Sequence, residues 1–223
     1  MSERTSVIVI SDAFVYVTIK QMETILMQMK RSICMIKGKS TGIGFFCRIN
    51  YQNKDIPCLV TSNHVLDDEY IKESKKIEIS LNDNEINEDI IISQENIIYI
   101  NKENEYDLII IKLKEGQEYM NNINYLELDD NIFGDSLQGN ESNSIYILHY
   151  PNSQDVAVSY GKVLVYDENK YGKRHKYKTL LDSSGGPILN LLTNKVIGIY
   201  KGYIQKNGEV KYNIGTLLNE PFK

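Results

Sequence analysis

Asp182-Ser183-Ser184-Gly185-Gly186-Pro187, near the C-terminal end, sets a serine directly before two glycines and a proline. The glycines let the backbone turn tightly with no Cβ in the way and leave room for a ligand group to approach backbone N–H donors. Upstream, Thr61-Ser62-Asn63-His64-Val65 places a histidine after the apolar run Ile56-Pro57-Cys58-Leu59-Val60. Tyr106-Asp107-Leu108-Ile109-Ile110 places an aspartate before another apolar run. Each stretch has a plainer reading taken alone: a polar turn, a strand end and a turn residue. Taken together they supply what a reactive serine needs. A serine hydroxyl is a weak nucleophile at neutral pH, so it requires an imidazole to accept its proton and a carboxylate to hold that imidazole in the right tautomer. Ser184, His64 and Asp107 are the candidates.

The chain order His, Asp, Ser, with gaps of 43 and 77 residues, resembles that of the trypsin-like serine proteases of the chymotrypsin architecture. The resemblance runs roughly from Ser32 to Thr216. Ser40-Thr41-Gly42-Ile43-Gly44-Phe45-Phe46 is similar to the Gly-x-Gly-Phe strand that precedes the histidine in bacterial and intracellular members. Val196-Ile197-Gly198-Ile199-Tyr200 is similar to the strand that follows the serine and lines the primary specificity pocket. The resemblance implies an all-β fold of two antiparallel six-stranded β-barrels with the site between them. It further implies a serine endopeptidase working through an acyl-enzyme, with Ser184 as nucleophile, His64 as general base and then acid, and Asp107 as the orienting carboxylate. Its substrate would be a protein or peptide, and no metal or cofactor would be needed.

Three departures from the family pattern bear on function. The residue before the nucleophile is Ser183, where trypsin carries an aspartate that pairs with a freshly cleaved N-terminus; activation by that ion pair is therefore not expected. The oxyanion hole implied by the resemblance uses the backbone N–H groups of Ser184 and Asp182, and the family usually has glycine at the latter position. A carboxylate there opposes the developing negative charge, and loss of one oxyanion donor costs roughly 2.7–4 kcal/mol. The alternative function is accordingly a weak or inactive pseudo-protease serving as a protein-binding module. The third departure lies in the pocket. Relatives of the glutamyl endopeptidases pair a threonine five residues before the serine with a histidine in the following strand. Thr179 matches, Tyr200 stands in place of the histidine, and Lys178 adds a nearby ammonium. These groups disfavour a basic side chain at the residue preceding the scissile bond and favour a polar or acidic one.

Short β-rich runs separated by Asn, Asp, Gly and Lys extend through most of the chain. The expected strands are 33–37, 42–51, 56–62, 76–81, 90–98 and 108–114 in the first half, and 144–150, 156–166, 176–181, 187–191, 195–202 and 211–217 in the second. Residues 7–10 and 14–18 are further strand candidates. The helical signal is confined to the N-terminus, where Ile19, Met22, Ile25, Leu26 and Met29 recur near a 3.6-residue period. That helix is expected to pack on the barrel body, with docking of a partner as the alternative. The organisation read from this is an N-terminal extension, 1–31, then a barrel with His64 and Asp107, 32–120, a linker, 121–143, and a barrel with Ser184, 144–223.

A net charge of −5 with dispersed lysines argues against nucleic-acid binding, which calls for a concentrated basic face. The cluster Lys173-Arg174-His175-Lys176 reads as a solvated loop. No run approaches the ~20 apolar residues that span a bilayer, and the start carries no signal-peptide pattern. Three cysteines, Cys34, Cys47 and Cys58, are few and odd in number, which points to a reducing, cytoplasmic setting. Cys47 and Cys58 flank an expected hairpin turn at Gln52-Asn53-Lys54-Asp55, which would bring them onto adjacent strands. Asn140-Glu141-Ser142 matches a glycosylation sequon, relevant only in a secretory compartment.

Overall fold

A computed structural model describes residues 6–11, 16–51, 53–82, 85–101, 106–129, 144–151, 155–167, 183–206 and 209–218. Seven strands, β2 (Ile33–Lys37), β3 (Thr41–Tyr51), β4 (Lys54–Thr61), β5 (Lys76–Leu81), β6 (Ile86–Ile91), β7 (Ile97–Asn101) and β8 (Leu108–Lys112), form one sheet in the order β6-β5-β2-β3-β4-β8-β7. All its neighbouring strands run antiparallel.

The central strands read as near-continuous apolar runs because both of their faces are covered. On one face Ile33, Met35, Ile43, Phe45, Cys47, Leu108 and Ile110 share a core with Tyr146, Leu148, Leu189 and Ile199 of the second half. On the other, Cys34, Ile36, Phe46, Leu59, Ile109 and Ile111 pack with Val65, Leu66, Ile71, Ile77 and Ile79. The period-2 alternation of a strand distributes successive residues between the two cores.

The second unit is a closed six-stranded barrel, β1-β10-β9-β11-β12-β13. Its members are β1 (Ser6–Ser11), β9 (Ser144–His149), β10 (Ala157–Asp167), β11 (Pro187–Asn190), β12 (Val196–Lys206) and β13 (Glu209–Leu217). β1 pairs with β10 on one side and β13 on the other, so the N-terminal strand closes the C-terminal barrel. Closure leaves no edge open to pairing with another chain. The strand expected over 176–181 lies outside the described residues.

The architecture is thus the expected all-β pair of antiparallel units, but only the second is the expected closed six-stranded barrel; the first is a sheet of seven strands, where a six-stranded barrel is expected, with β6 and β7 at its edges. The extra strand arises because the run over 90–98 is broken. Asn96 Oδ1 accepts from both the N–H (3.0 Å) and the hydroxyl (2.8 Å) of Ser93, turning the chain between β6 and β7. The hairpin between β3 and β4 is tighter than the expected four-residue turn, since Lys54 and Asp55 already pair with Tyr51 and Asn50. Asn53 adopts φ +59°, as a two-residue hairpin loop demands, and Cys47 lies directly opposite Cys58. All three cysteines are buried and free.

The helix α1 spans Ile19–Arg31. Thr18, expected within a strand, instead caps it: its side chain accepts from Gln21 N–H (3.3 Å), and Gln21 Oε1 accepts from Thr18 N–H (2.9 Å). This is a capping box. The expected apolar face is divided. Ile25 is buried and Met29 packs on the core, whereas Ile19, Met22 and Leu26 are exposed. The helix faces the body through polar anchors, Gln21 donating to Leu191 O (3.0 Å) and Gln28 to Asn194 O (3.0 Å). Helical structure is not confined to the N-terminus: α2 (Asp68–Glu73) follows Asp67, whose carboxylate accepts from Tyr70 N–H (2.8 Å) as its N-cap. No described helix is long and apolar enough to cross a membrane.

The segment after β8 is stitched to both units. Leu126 N–H donates to Phe46 O (2.8 Å), and Val196 N–H donates to Glu127 O (2.8 Å). Residues 130–143, including the sequon, lie outside the described residues.

Candidate active site

β4 ends at Thr61 and the chain turns through Ser62-Asn63-His64-Val65, with Val65 N–H donating to Ser62 O (3.1 Å). Asp107 immediately precedes β8, the neighbour of β4, so strand pairing carries the two loops to the same end of the sheet. Asp107 has φ +52°, a conformation that Asp and Asn adopt more readily than other non-glycine residues. The bend brings the carboxylate back onto the histidine turn. Asn63 N–H donates to Asp107 O (3.1 Å), His64 N–H donates to Oδ1 (3.0 Å), and His64 Nδ1 lies 2.7 Å from Oδ2. Asp107 is only 2% exposed, while the His64 side chain is 26% exposed. A buried carboxylate at Nδ1 keeps the ring proton there, which makes Nε2 the basic nitrogen.

The turn Ser183–Gly186 is locked between the two units. Ile43 N–H of β3 donates to Ser184 O (2.8 Å), Gly185 N–H donates to Tyr200 O (2.9 Å), and Tyr200 N–H donates to Gly186 O (2.8 Å). Gly185 has φ +91°, and a Cβ there would lie 2.1 Å from Ile43 O and 2.6 Å from Thr61 Oγ1. Only glycine fits. A Cβ on Gly42 would meet both Val65 Cγ2 (2.4 Å) and Ser184 O (3.1 Å), so the residue after His64 and the serine turn converge at Gly42. Across the units, Thr216 Oγ1 of β13 donates to Tyr106 O (3.0 Å), anchoring the Asp107 loop to the barrel. Ser184 is 3% exposed, and its hydroxyl donates to Lys201 O (3.2 Å).

Tyr200 is buried among Ile145, Ile147, Ile188, Ile197 and Leu217, and its hydroxyl donates to Asn213 Oδ1 (3.0 Å). Burial pushes its phenol well above the usual range. Asp182, Lys178 and Thr179 lie outside the described residues. Among the described residues no group of three His, Cys, Asp or Glu is placed to hold a metal ion.

One residue of this region is not singled out by the sequence. His149, at the end of β9, has Nδ1 3.1 Å from Ser183 Oγ and Nε2 2.8 Å from Ser159 Oγ of β10. Burial holds its pKa below the ordinary 6.5. The only signal in the sequence is a histidine closing an apolar strand ahead of Tyr150-Pro151, which by itself reads as a strand end.

The family model of the trypsin-like peptidase domain matches residues 42–199. No curated protein matches the sequence. Among solved structures, the fold is similar to the inactive form of the Rv3671c protease, at 12% identity and a TM-score of 0.55, covering 91% of this chain and 90% of that one. A mutant of Rv3671c from M. tuberculosis H37Rv, also in an inactive form, gives 11% identity and a TM-score of 0.55, covering 95% and 93%. Deg5 gives 14% identity and a TM-score of 0.54, covering 92% and 93%. At such identities the likeness concerns the fold.

Proposed function

Because the chain belongs to the trypsin-like peptidase family, we propose that it is a serine endopeptidase with Ser184 as nucleophile, His64 as general base and Asp107 as the orienting carboxylate. The observation that carries this reading is the two-point grip of buried Asp107 on His64, 3.0 Å to the backbone N–H and 2.7 Å to Nδ1, beside a serine turn in which only glycine fits after Ser184.

In the proposed reaction Ser184 Oγ attacks the scissile carbonyl carbon as its proton passes to His64 Nε2. The hydroxyl must first turn from Lys201 O. The carbonyl oxygen becomes an oxyanion held by the backbone N–H groups of Ser184 and Asp182. His64 then returns the proton to the leaving amine as the C–N bond breaks, leaving an acyl-enzyme. Water, deprotonated by His64, attacks the ester and releases the carboxylic acid, and the proton goes back to Ser184.

Specificity is assigned to Lys178, Thr179 and Tyr200, which favour a polar or acidic side chain before the scissile bond. The Tyr200 hydroxyl proton is committed to Asn213, so Tyr200 would offer its oxygen as an acceptor to a donor such as a glutamine amide, and the acidic preference falls to Lys178 and Thr179. The three free, buried cysteines support a reducing, cytoplasmic setting. Digestion of a peptide library by the unmodified protein and by Ser184→Ala tests the reading. Cleavage by the former alone is expected, and equal cleavage by both would contradict it.

A second reading, a binding module with the same fold, is favoured by the bond between the Ser184 hydroxyl and Lys201 O (3.2 Å) and by Asp182 at the oxyanion position. If it held, the unmodified protein would bind library peptides without cleaving them, and Asp182→Gly would restore turnover.

A further inference from the structure

Ser183, the neighbour of the proposed nucleophile, is 1% exposed, and its hydroxyl meets His149 Nδ1 at 3.1 Å. The far side of the same ring meets Ser159 Oγ at 2.8 Å. His149 ends β9 and Ser159 lies in the adjacent β10. The row Ser183–His149–Ser159 therefore connects the serine turn to the barrel wall through side chains. The ties of the turn to Ile43 of β3 and Tyr200 of β12 are made by backbone groups, and the Ser184 hydroxyl, which must turn away for the proposed reaction, donates to Lys201 O.

A neutral imidazole has one donor and one acceptor. A hydroxyl takes either role, so the two serines satisfy both ring nitrogens. Burial favours that neutral form. Both ring nitrogens of His149 are engaged by serine hydroxyls, neither of them that of Ser184, so His149 does not stand in for His64. What it can do is fix the rotamer of Ser183 and with it the peptide that sets the direction of Ser184.

We infer that His149 is a positioning residue: by holding Ser183 against β9 and β10 it fixes the turn that presents Ser184. The catalytic consequence rests on the reading of Ser184 as nucleophile, whereas the structural one does not.

The test uses the full chain with His149→Ala, His149→Asn, His149→Gln, Ser183→Ala and the double variant His149→Ala/Ser183→Ala. An asparagine amide reaches the position of Nδ1, and a glutamine amide reaches that of Nε2, so only the former can rebuild the bond to Ser183. Two quantities are read: amide hydrogen exchange of Ser184, Gly185 and Gly186 against that of β9 and β10, and the kcat and KM of peptide cleavage. His149→Ala should speed exchange in the turn roughly 5- to 30-fold, as expected for losing a tie of one or two kcal/mol, with β9 and β10 unchanged. It should lower kcat by up to about 100-fold, the usual penalty of a misplaced reacting group, at nearly constant KM. His149→Asn should restore both and His149→Gln neither. Ser183→Ala should match His149→Ala, and the double variant should be no worse than either.

Unchanged exchange and turnover in His149→Ala, equal rescue by Asn and Gln, or additive single effects would each overturn the inference. Should His149→Ala fail to fold, the Asn and Gln pair decides alone. If the unmodified protein proves inert toward peptides, the reading of Ser184 fails, and the exchange data still decide the role of His149. Capture of an acyl or phosphonyl group on Ser183 would make His149 a base and would also overturn it.

Discussion

Asp107→Asn isolates the chemistry of the site from its architecture. Asparagine occupies the same volume and, like aspartate, tolerates φ +52°, whereas Asp107→Ala would add left-handed strain of about 1–2 kcal/mol. The amide oxygen can still accept from His64 N–H, now at 3.0 Å from Oδ1. The amide nitrogen, however, sets a donor at the 2.7 Å position opposite Nδ1. The imidazole relieves that donor–donor clash by moving its proton to Nε2, and the lone pair needed to activate Ser184 is lost. In Ser-His-Asp enzymes the wrong tautomer costs kcat about 10⁴-fold, or about 5 kcal/mol. Stability should fall far less, by about 1–3 kcal/mol for the weakened charge-assisted bond. Measuring kcat/KM on a fluorogenic peptide beside thermal unfolding separates the two effects. Turnover within about tenfold of the unmodified protein would refute the reasoning, because the orienting role of Asp107 leaves no room for so small a loss.

Gly185→Ala should lower stability by about 2–5 kcal/mol, the sum of left-handed strain and overpacking against Ile43 O and Thr61; an unchanged melting temperature would be incompatible with the described turn. Tyr200→Phe leaves Asn213 Oδ1 without its donor, at a cost of about 1–3 kcal/mol. If Tyr200 also reads the substrate, the change should lower kcat/KM for Gln before the scissile bond while sparing small residues, and an equal effect on all substrates would remove Tyr200 from the pocket. His149, with its pKa lowered by burial, binds fewer protons folded than unfolded at acid pH. Its contribution to stability is therefore complete above about 6.5 and is lost as pH falls below that value. His149→Asn should flatten the fall in melting temperature between about pH 7 and pH 5, and a steeper fall would reverse the sign assigned here.

Strands whose partners lie close in sequence were legible. The apolar runs of β2 and β5 have the expected bounds, Ile33–Lys37 and Lys76–Leu81, because burial on one or both faces writes itself directly into the chain. The break between β6 and β7 was hidden, since the isoleucines at both ends of Ile90 to Ile98 let the run pass for one strand, whereas its polar middle folds into a 3-10 turn closed by Asn96 N–H on Ser93 O (3.0 Å) and by the Asn96 side chain on Ser93. The exposure of Ile19, Met22 and Leu26 was equally hidden. A 3.6-residue period marks an apolar stripe but not how much of it the body covers, and here polar Gln21 and Gln28 carry much of the docking. At the site, the pairing of Asp107 with His64 follows from two loops at one end of adjacent strands. The contact of His149 with Ser183 depends on a bond between residues 34 apart, for which a lone histidine in a strand gives no warning.

The central claim is that Ser184 is an activated nucleophile, and reaction with an alkyl fluorophosphonate followed by peptide mass mapping tests it most directly. The account predicts a single adduct on Ser184, absent in Ser184→Ala, strongly reduced in His64→Ala and Asp107→Asn, and retained at a slower rate in Ser183→Ala. No adduct on the unmodified, folded protein, or an adduct on Ser183 that survives Ser184→Ala, would contradict it.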